Sequence, residues 1–168
     1  MIALPKSDPR LDLTFERTVD VPPSRVWRAW TEPALLMKWF TPAPWKTTEA
    51  EIDLQPGGIF RTVMQGPAGE KFNNFGCYLE VVKEQRLVWT NTMGPGFRPI
   101  PSKGLEGSGC VEFPFTAFLL FEAHGQGTRY RALIFHGDEA GRAQHELMGY
   151  HDGGGAAGAQ LVAVVKAM

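Results

Sequence analysis

Toward its C-terminal end the chain repeats small and apolar residues at helical spacing. Ala140, Ala143, Leu147, His151, Gly154, Gly158, Leu161, Val165 and Met168 fall on one stripe. As a single helix, residues 138 to 168 would span about 46 Å. The stripe is bulky toward its ends and bare at its centre. Gly153, Gly154, Gly155 and Gly158 each cost about 1 kcal/mol relative to alanine, so propensity argues for a kink or break near 153. If the helix persists, packing must hold it, and a bare-centred helix lying on a sheet leaves space between the two.

The preceding residues supply the sheet. Leu11, Leu13 and Phe15 alternate with Asp12, Thr14 and Glu16, which predicts a strand over 11–19. Pro22-Pro23-Ser24 opens a helix whose buried face is Val26, Ala29 and Trp30. Thr31-Glu32-Pro33 breaks it, and a second short helix over 34–40 presents Leu35, Leu36, Trp39 and Phe40. Alternation and turn residues then predict strands near 47–54, 59–65, 72–83, 87–92, 115–123 and 128–136, with Gly76 as a bulge. In the last strand Arg129 and Arg131 face one way, and Tyr130, Ala132, Ile134 and His136 the other. Residues 93–113 are rich in glycine and proline, lack periodicity, and form a long loop of the functional or mobile kind. The class is α+β with a mainly antiparallel sheet. Residues 1–10, with two prolines, form a flexible N-terminal arm, and 11–168 form a single domain.

Composition narrows the partners. Hydrophobic residues at 43% and charged residues at 21% exclude intrinsic disorder. Seventeen basic against eighteen acidic residues leave a net charge of -1, so no basic field exists to collect nucleic acid or anionic lipid. No apolar run reaches a signal peptide or a membrane span, and the expectation is a cytoplasmic protein without membrane association. Cys77 and Cys110 form no CxxC pattern and read as two thiols in a reducing compartment.

Standard catalytic motifs are missing. His145 and His151 are six apart rather than four, so they share no metal-binding helix face. Gly107-Ser108-Gly109 lacks the strand–turn–helix context of a nucleophile elbow, and no glycine-rich stretch leads into Lys-Ser or Lys-Thr. No metal or cofactor is expected. Aromatic residues carry more information, since five tryptophans join eleven phenylalanines and three tyrosines. Each one alone reads as core; a subset lining a cavity between sheet and helix gains weight from the bare glycine stripe. The candidate ligand-binding residues are Trp30, Trp39, Phe60, Met64, Trp89, Phe97, Tyr130 and His151, with His136, Tyr150 and Gly154 beside them and the 93–113 loop as a mobile lid. Arg61, close to Asn74 in hairpin register, reads as a structural ion pair.

These segments resemble a known family. Val26-Trp27-Arg28-Ala29-Trp30-Thr31-Glu32-Pro33 with Leu36 and Trp39-Phe40 resembles the helical opening of the SRPBCC superfamily. Pro56-Gly57-Gly58 with Phe60-Arg61 and Met64 resembles the central hairpin of its bacterial branch, named after the activator of the heat-shock-protein-90 ATPase. Gly76 to Val82, Arg86 to Thr90, Gly94 to Pro99, Gly127-Thr128-Arg129, His145 to His151 and Gln160-Leu161 resemble further segments of that branch in order. The resemblance implies a helix-grip fold, similar to the birch pollen allergen and START lipid-transfer domains. In it a curved antiparallel sheet of six to seven strands wraps a long C-terminal helix around a hydrophobic cavity. Relatives usually carry Gly-Trp-Gly where this chain has Gly153-Gly154-Gly155, so loss of the indole enlarges or reshapes the cavity, or weakens the helix.

Three functions compete. The main expectation is a module that binds a small hydrophobic or aromatic molecule, rather than an enzyme. A cyclase-like or hydratase-like catalyst would instead need His136, His151, Tyr150 or Glu80 to converge as acid and base. A co-chaperone acting on a heat-shock ATPase ranks last, because the chain lacks the extra N-terminal domain of the eukaryotic activators. A homodimer through a sheet edge or helix is compatible with the sequence.

Overall fold

The structure is a computed structural model and describes residues 1–101, 113–147 and 151–168, the side chains of 151–156 excepted. Its frame is a curved seven-stranded antiparallel sheet in the order β1-β9-β8-β5-β4-β3-β2. The strands are β1 (Asp12–Val19), β2 (Lys46–Ile52), β3 (Ile59–Gln65), β4 (Lys71–Val82), β5 (Arg86–Thr90), β8 (Phe115–His124) and β9 (Gly127–His136). Two residues each of β6 (Met93–Gly94) and β7 (Arg98–Pro99) make a separate small hairpin. Helices α1 (Pro23–Thr31) and α2 (Pro33–Leu36) follow β1, and α3 (Glu139–His145) and α4 (His151–Ala167) close the chain. This is the α+β helix-grip arrangement. No helix among the described residues is long and apolar enough to cross a membrane.

The alternation read in β9 holds: Tyr130, Ala132, Ile134 and His136 are buried, and the residues between them half-buried. One core joins this inner face to the helices. It gathers Leu13 of β1, Val26, Trp27, Ala29 and Trp30 of α1, Trp39, Phe60, Tyr78, Trp89 and Phe121, and Leu161 and Val165 of α4. Arg61 faces the other side, where it donates to Glu51, Glu49 and Asn73 as a structural ion pair.

The C-terminal segment differs from one continuous stripe. It is two helices, and α3 starts afresh with Asp138 as N-cap, whose Oδ1 accepts the Gly141 N–H at 2.7 Å. Leu147 is 87% exposed instead of facing the sheet. Gly158, Leu161 and Val165 are buried as the stripe predicts, and α4 runs through Gly153-Gly154-Gly155 without a break at 153. Gln160 donates to the carbonyls of Trp39 and Thr41 and accepts the Ala43 N–H, tying α4 to the loop after α2. The space at Gly158 is taken by a ring, since a Cβ there would lie 2.4 Å from Phe15 Cζ. What remains beside it, lined by Phe15, Val26, Tyr130, Leu161 and Val165, is a gap of about 10 Å³, room for one water.

Two further expectations shift. The bulge lies one turn of the pleat beyond Gly76, between Tyr78 and Glu80. Gly76 has a different role: a Cβ would come within 3.0 Å of the Trp89 ring, so its bare backbone lets the indole lie on the sheet. The region after β5 is not structureless throughout, because β6, a 3₁₀ turn at Pro95–Phe97 and β7 fold back onto the Pro56-Gly57-Gly58 turn, where the Gly96 N–H donates to the Gly57 carbonyl. The rest of the expected lid, 102–112, lies outside the described residues, as does Cys110; Cys77 is a buried free thiol.

The Phe15–Gly158 contact predicts the outcome of a cavity-filling change. Gly158→Val should cost about 1–3 kcal/mol through overpacking. Adding Phe15→Ala should recover part of the loss in urea unfolding, and independent, additive effects of the two changes would refute the contact.

Candidate functional site

Helix α1 presents Trp30 to the sheet because Val26, Ala29 and Trp30 share one face, and the turn after α2 brings Trp39 and Phe40 against it. From there an unbroken array of rings crosses the inner face. Trp30 meets Trp39 at 4.7 Å between centroids, Phe40 meets Phe60 at 5.7 Å, Phe60 meets Trp89 at 4.7 Å, and Trp89 meets Phe115 at 5.2 Å. Phe115 then contacts His145 of α3 at 5.0 Å, and Phe113 stacks on the same imidazole at 4.5 Å. Mostly edge-to-face contacts of this kind hold each ring in one orientation.

Polar atoms inside the array divide into two groups. The Trp30 Nε1–H donates to the Tyr130 hydroxyl at 3.1 Å, and the Trp39 Nε1–H to the Ala29 carbonyl at 3.0 Å. By contrast, the Tyr78 hydroxyl and the Trp89 Nε1–H are buried with no hydrogen-bond partner among the described residues. The two residues are cross-strand partners, and Phe60 lies against both rings, 5.5 Å from Tyr78. Burial, reinforced by the charge of Asp53, pushes the Tyr78 phenol above its ordinary pKa, so it stays a proton donor. An unsatisfied buried donor costs about 1–3 kcal/mol, and two adjacent ones in a well-packed wall call for an explanation.

At the far end of the array sits a histidine pair. His136 Nδ1 is 2.8 Å from the Leu11 carbonyl, which can only accept, so Nδ1 carries the proton. A neutral His136 then offers Nε2 as acceptor to the Nδ1–H of His145, 2.9 Å away. Burial lowers the pKa of both; for His145, with the neighbouring His136 adding to it, to about 4.

Among the expected site residues, Trp30, Trp39, Phe60, Trp89 and Tyr130 come together in this core, with His136 at its edge. Met64 is half-buried, opposite Thr47 and Phe72 in the sheet and apart from the array. Phe97 is 48% exposed and covers Gly57, which has φ +82° and no room for a side chain beneath that ring. Tyr150 and the side chain of His151 lie outside the described residues; Gly154 lies in α4. Glu80 is on the opposite face beside Arg86, 3.6 Å away, and takes no part in the array. Sequence reasoning missed Tyr78, Phe113, Phe115 and His145 as site residues. Tyr78 had a signal, the aromatic opposite Trp89 in hairpin pairing, whereas the pairing of His145 with His136 depends on how α3 is docked. Among the described residues no three His, Cys, Asp or Glu side chains group to hold a metal ion.

The family described as Activator of Hsp90 ATPase homolog 1-like protein matches residues 20–166. The chain belongs to that family. A crystal structure of a protein from Nitrosomonas europaea is 42% identical with a TM-score of 0.87, covering 96% of this chain and 97% of the other. The fold recurs in a solution structure from Arthrobacter aurescens, 22% identical with a TM-score of 0.79 over 99% of this chain and 92% of that one. It recurs again in a crystal structure from Rhodobacter sphaeroides, 21% identical with a TM-score of 0.76 over 95% and 94%. No curated protein matches. This membership sets the chain in a family of ligand-binding domains in general.

The buried histidines make stability acid-sensitive. Their folded pKa values lie below the unfolded value of about 6.5, so the unfolded chain binds more protons and stability falls as pH drops below that value toward 4. Thermal midpoints should decline from pH 6.5 to 5 in the native sequence and decline less in His145→Phe; parallel profiles would refute the assignment.

Proposed function

We propose that this chain binds a small, mainly apolar or aromatic molecule that carries a hydrogen-bond acceptor, at the aromatic wall formed by Phe60, Tyr78, Trp89 and Phe115. The observation that carries this reading is the pair of buried donors without partners among the described residues, the Tyr78 hydroxyl and the Trp89 Nε1–H. In a filled core both would cost stability with no return. In a binding site a ligand acceptor satisfies them, and that recovered free energy becomes selectivity for a molecule with an oxygen or nitrogen acceptor over a pure hydrocarbon. The family's ligand-binding character supports the same reading. The buried free thiol of Cys77 is consistent with work in a reducing, cytoplasmic setting.

One observation favours an acid–base catalyst instead, the orientation of His145 by His136 across 2.9 Å. The magnitude argues against it. A base with a pKa of about 4 has little drive to take a proton near pH 7, so the pair serves better as a neutral, fixed polar end to the wall.

Native mass spectrometry of the purified chain, followed by denaturing extraction, should release an apolar molecule with an acceptor group. Anilinonaphthalene sulfonate, used as a probe, should bind and be displaced by that extract. Trp89→Phe and Tyr78→Phe should each weaken the probe about tenfold, the worth of one hydrogen bond to a charged acceptor. An empty protein whose two variants are more stable than the native sequence, with probe affinity unchanged, would overturn the proposal.

A further inference from the structure

The aromatic wall offers two donors but no positive charge. Among the described residues no lysine or arginine is buried, and the buried carboxylates are Asp12 and Glu80. Arg17 of β1 holds its guanidinium over the Phe15 ring, beside the gap at Gly158. Its strand is three places from β5 in the sheet, about 14 Å from Trp89. His136 and His145, at the other end of the array, are neutral near pH 7 because burial lowers both pKa values.

The charge felt at the donors is negative. Asp53 lies in the turn between β2 and β3, where its N–H donates to the Ile59 carbonyl and its carboxylate accepts from Gln55 Nε2 at 2.9 Å. The same turn is bonded to both backbone groups of Tyr78. The Gly57 N–H donates to the Tyr78 carbonyl at 2.7 Å, and the Tyr78 N–H donates to the Gly58 carbonyl at 3.0 Å. Asp53 is thereby held beside Tyr78, and its field adds to burial in raising the pKa of the phenol. A field that resists negative charge on the Tyr78 oxygen also resists it on any acceptor bonded to that oxygen.

We propose that the wall, with Asp53 beside it, selects an uncharged acceptor, the carbonyl of an aromatic or apolar ketone, ester or amide, and discriminates against a carboxylate of the same shape. This inference rests on the ligand-binding reading of Tyr78 and Trp89. A carbonyl oxygen has two lone pairs for donors and gives up far less hydration than an ion. A carboxylate reaches the same donors, but it enters as a buried charge with no cation beside it among the described residues. Asp53 is then a specificity-determining residue that acts by its charge, from an exposed turn outside the ring array.

Methyl naphthyl ketone and naphthoate have nearly the same shape and differ in charge, so the pair isolates the effect. Titrated into the full chain by calorimetry at neutral pH, the ketone should bind about tenfold more tightly or better. Asp53→Asn should tighten naphthoate about threefold and leave the ketone unchanged, and Asp53→Glu should keep the native preference. Naphthoate binding as tightly as the ketone overturns charge selection and leaves the ligand-binding reading standing. So does a preference that Asp53→Asn does not move. If neither compound binds, both readings fall.

Discussion

The register shift between Tyr78 and Glu80 is the constraint on which both faces of the sheet depend. Strict alternation along β4 would put the two side chains on one face. The extra residue at Leu79 sends Tyr78 inward, opposite Trp89, and turns Glu80 outward to Arg86. A phenol enters the aromatic wall and a carboxylate is kept out of it. Without that offset a buried charge would share the inner face with the aromatic array, where burial penalises it.

Aromatic rings resting on glycine recur through the structure. Phe15 lies on Gly158, Trp89 on Gly76 and Phe97 on Gly57. In each case a Cβ would collide with the ring, so the glycine serves close approach. This answers how α4 tolerates poor helix formers: docking against the sheet replaces the lost propensity with ring contact and with the three hydrogen bonds of Gln160.

The contrast among the inner polar groups is what separates wall from filler. Trp30 and Trp39 have their indole N–H groups bonded within the protein, which fixes α1 and the following turn as structure. Tyr78 and Trp89 do not, and they stand midway along the same array. The two histidines at its end are bonded to each other, and His136 to Leu11, so the pair anchors α3 without adding charge.

Periodicity and turn chemistry by themselves determined the α+β class, the strand sequence, the inward set of β9 and the burial of Trp30, Trp39, Phe60, Trp89 and Tyr130. These follow from local rules: a period of two or 3.6, prolines that start helices, glycines that turn chains. Only the tertiary structure decided that Leu147 leaves the buried stripe, that Gly76 accommodates Trp89 instead of bulging, that His136 finds His145, and that Glu80 grips Ile2. Each joins residues whose meeting depends on a one-residue change of register or on the angle at which a helix docks, and neither quantity is carried by any local pattern of side chains.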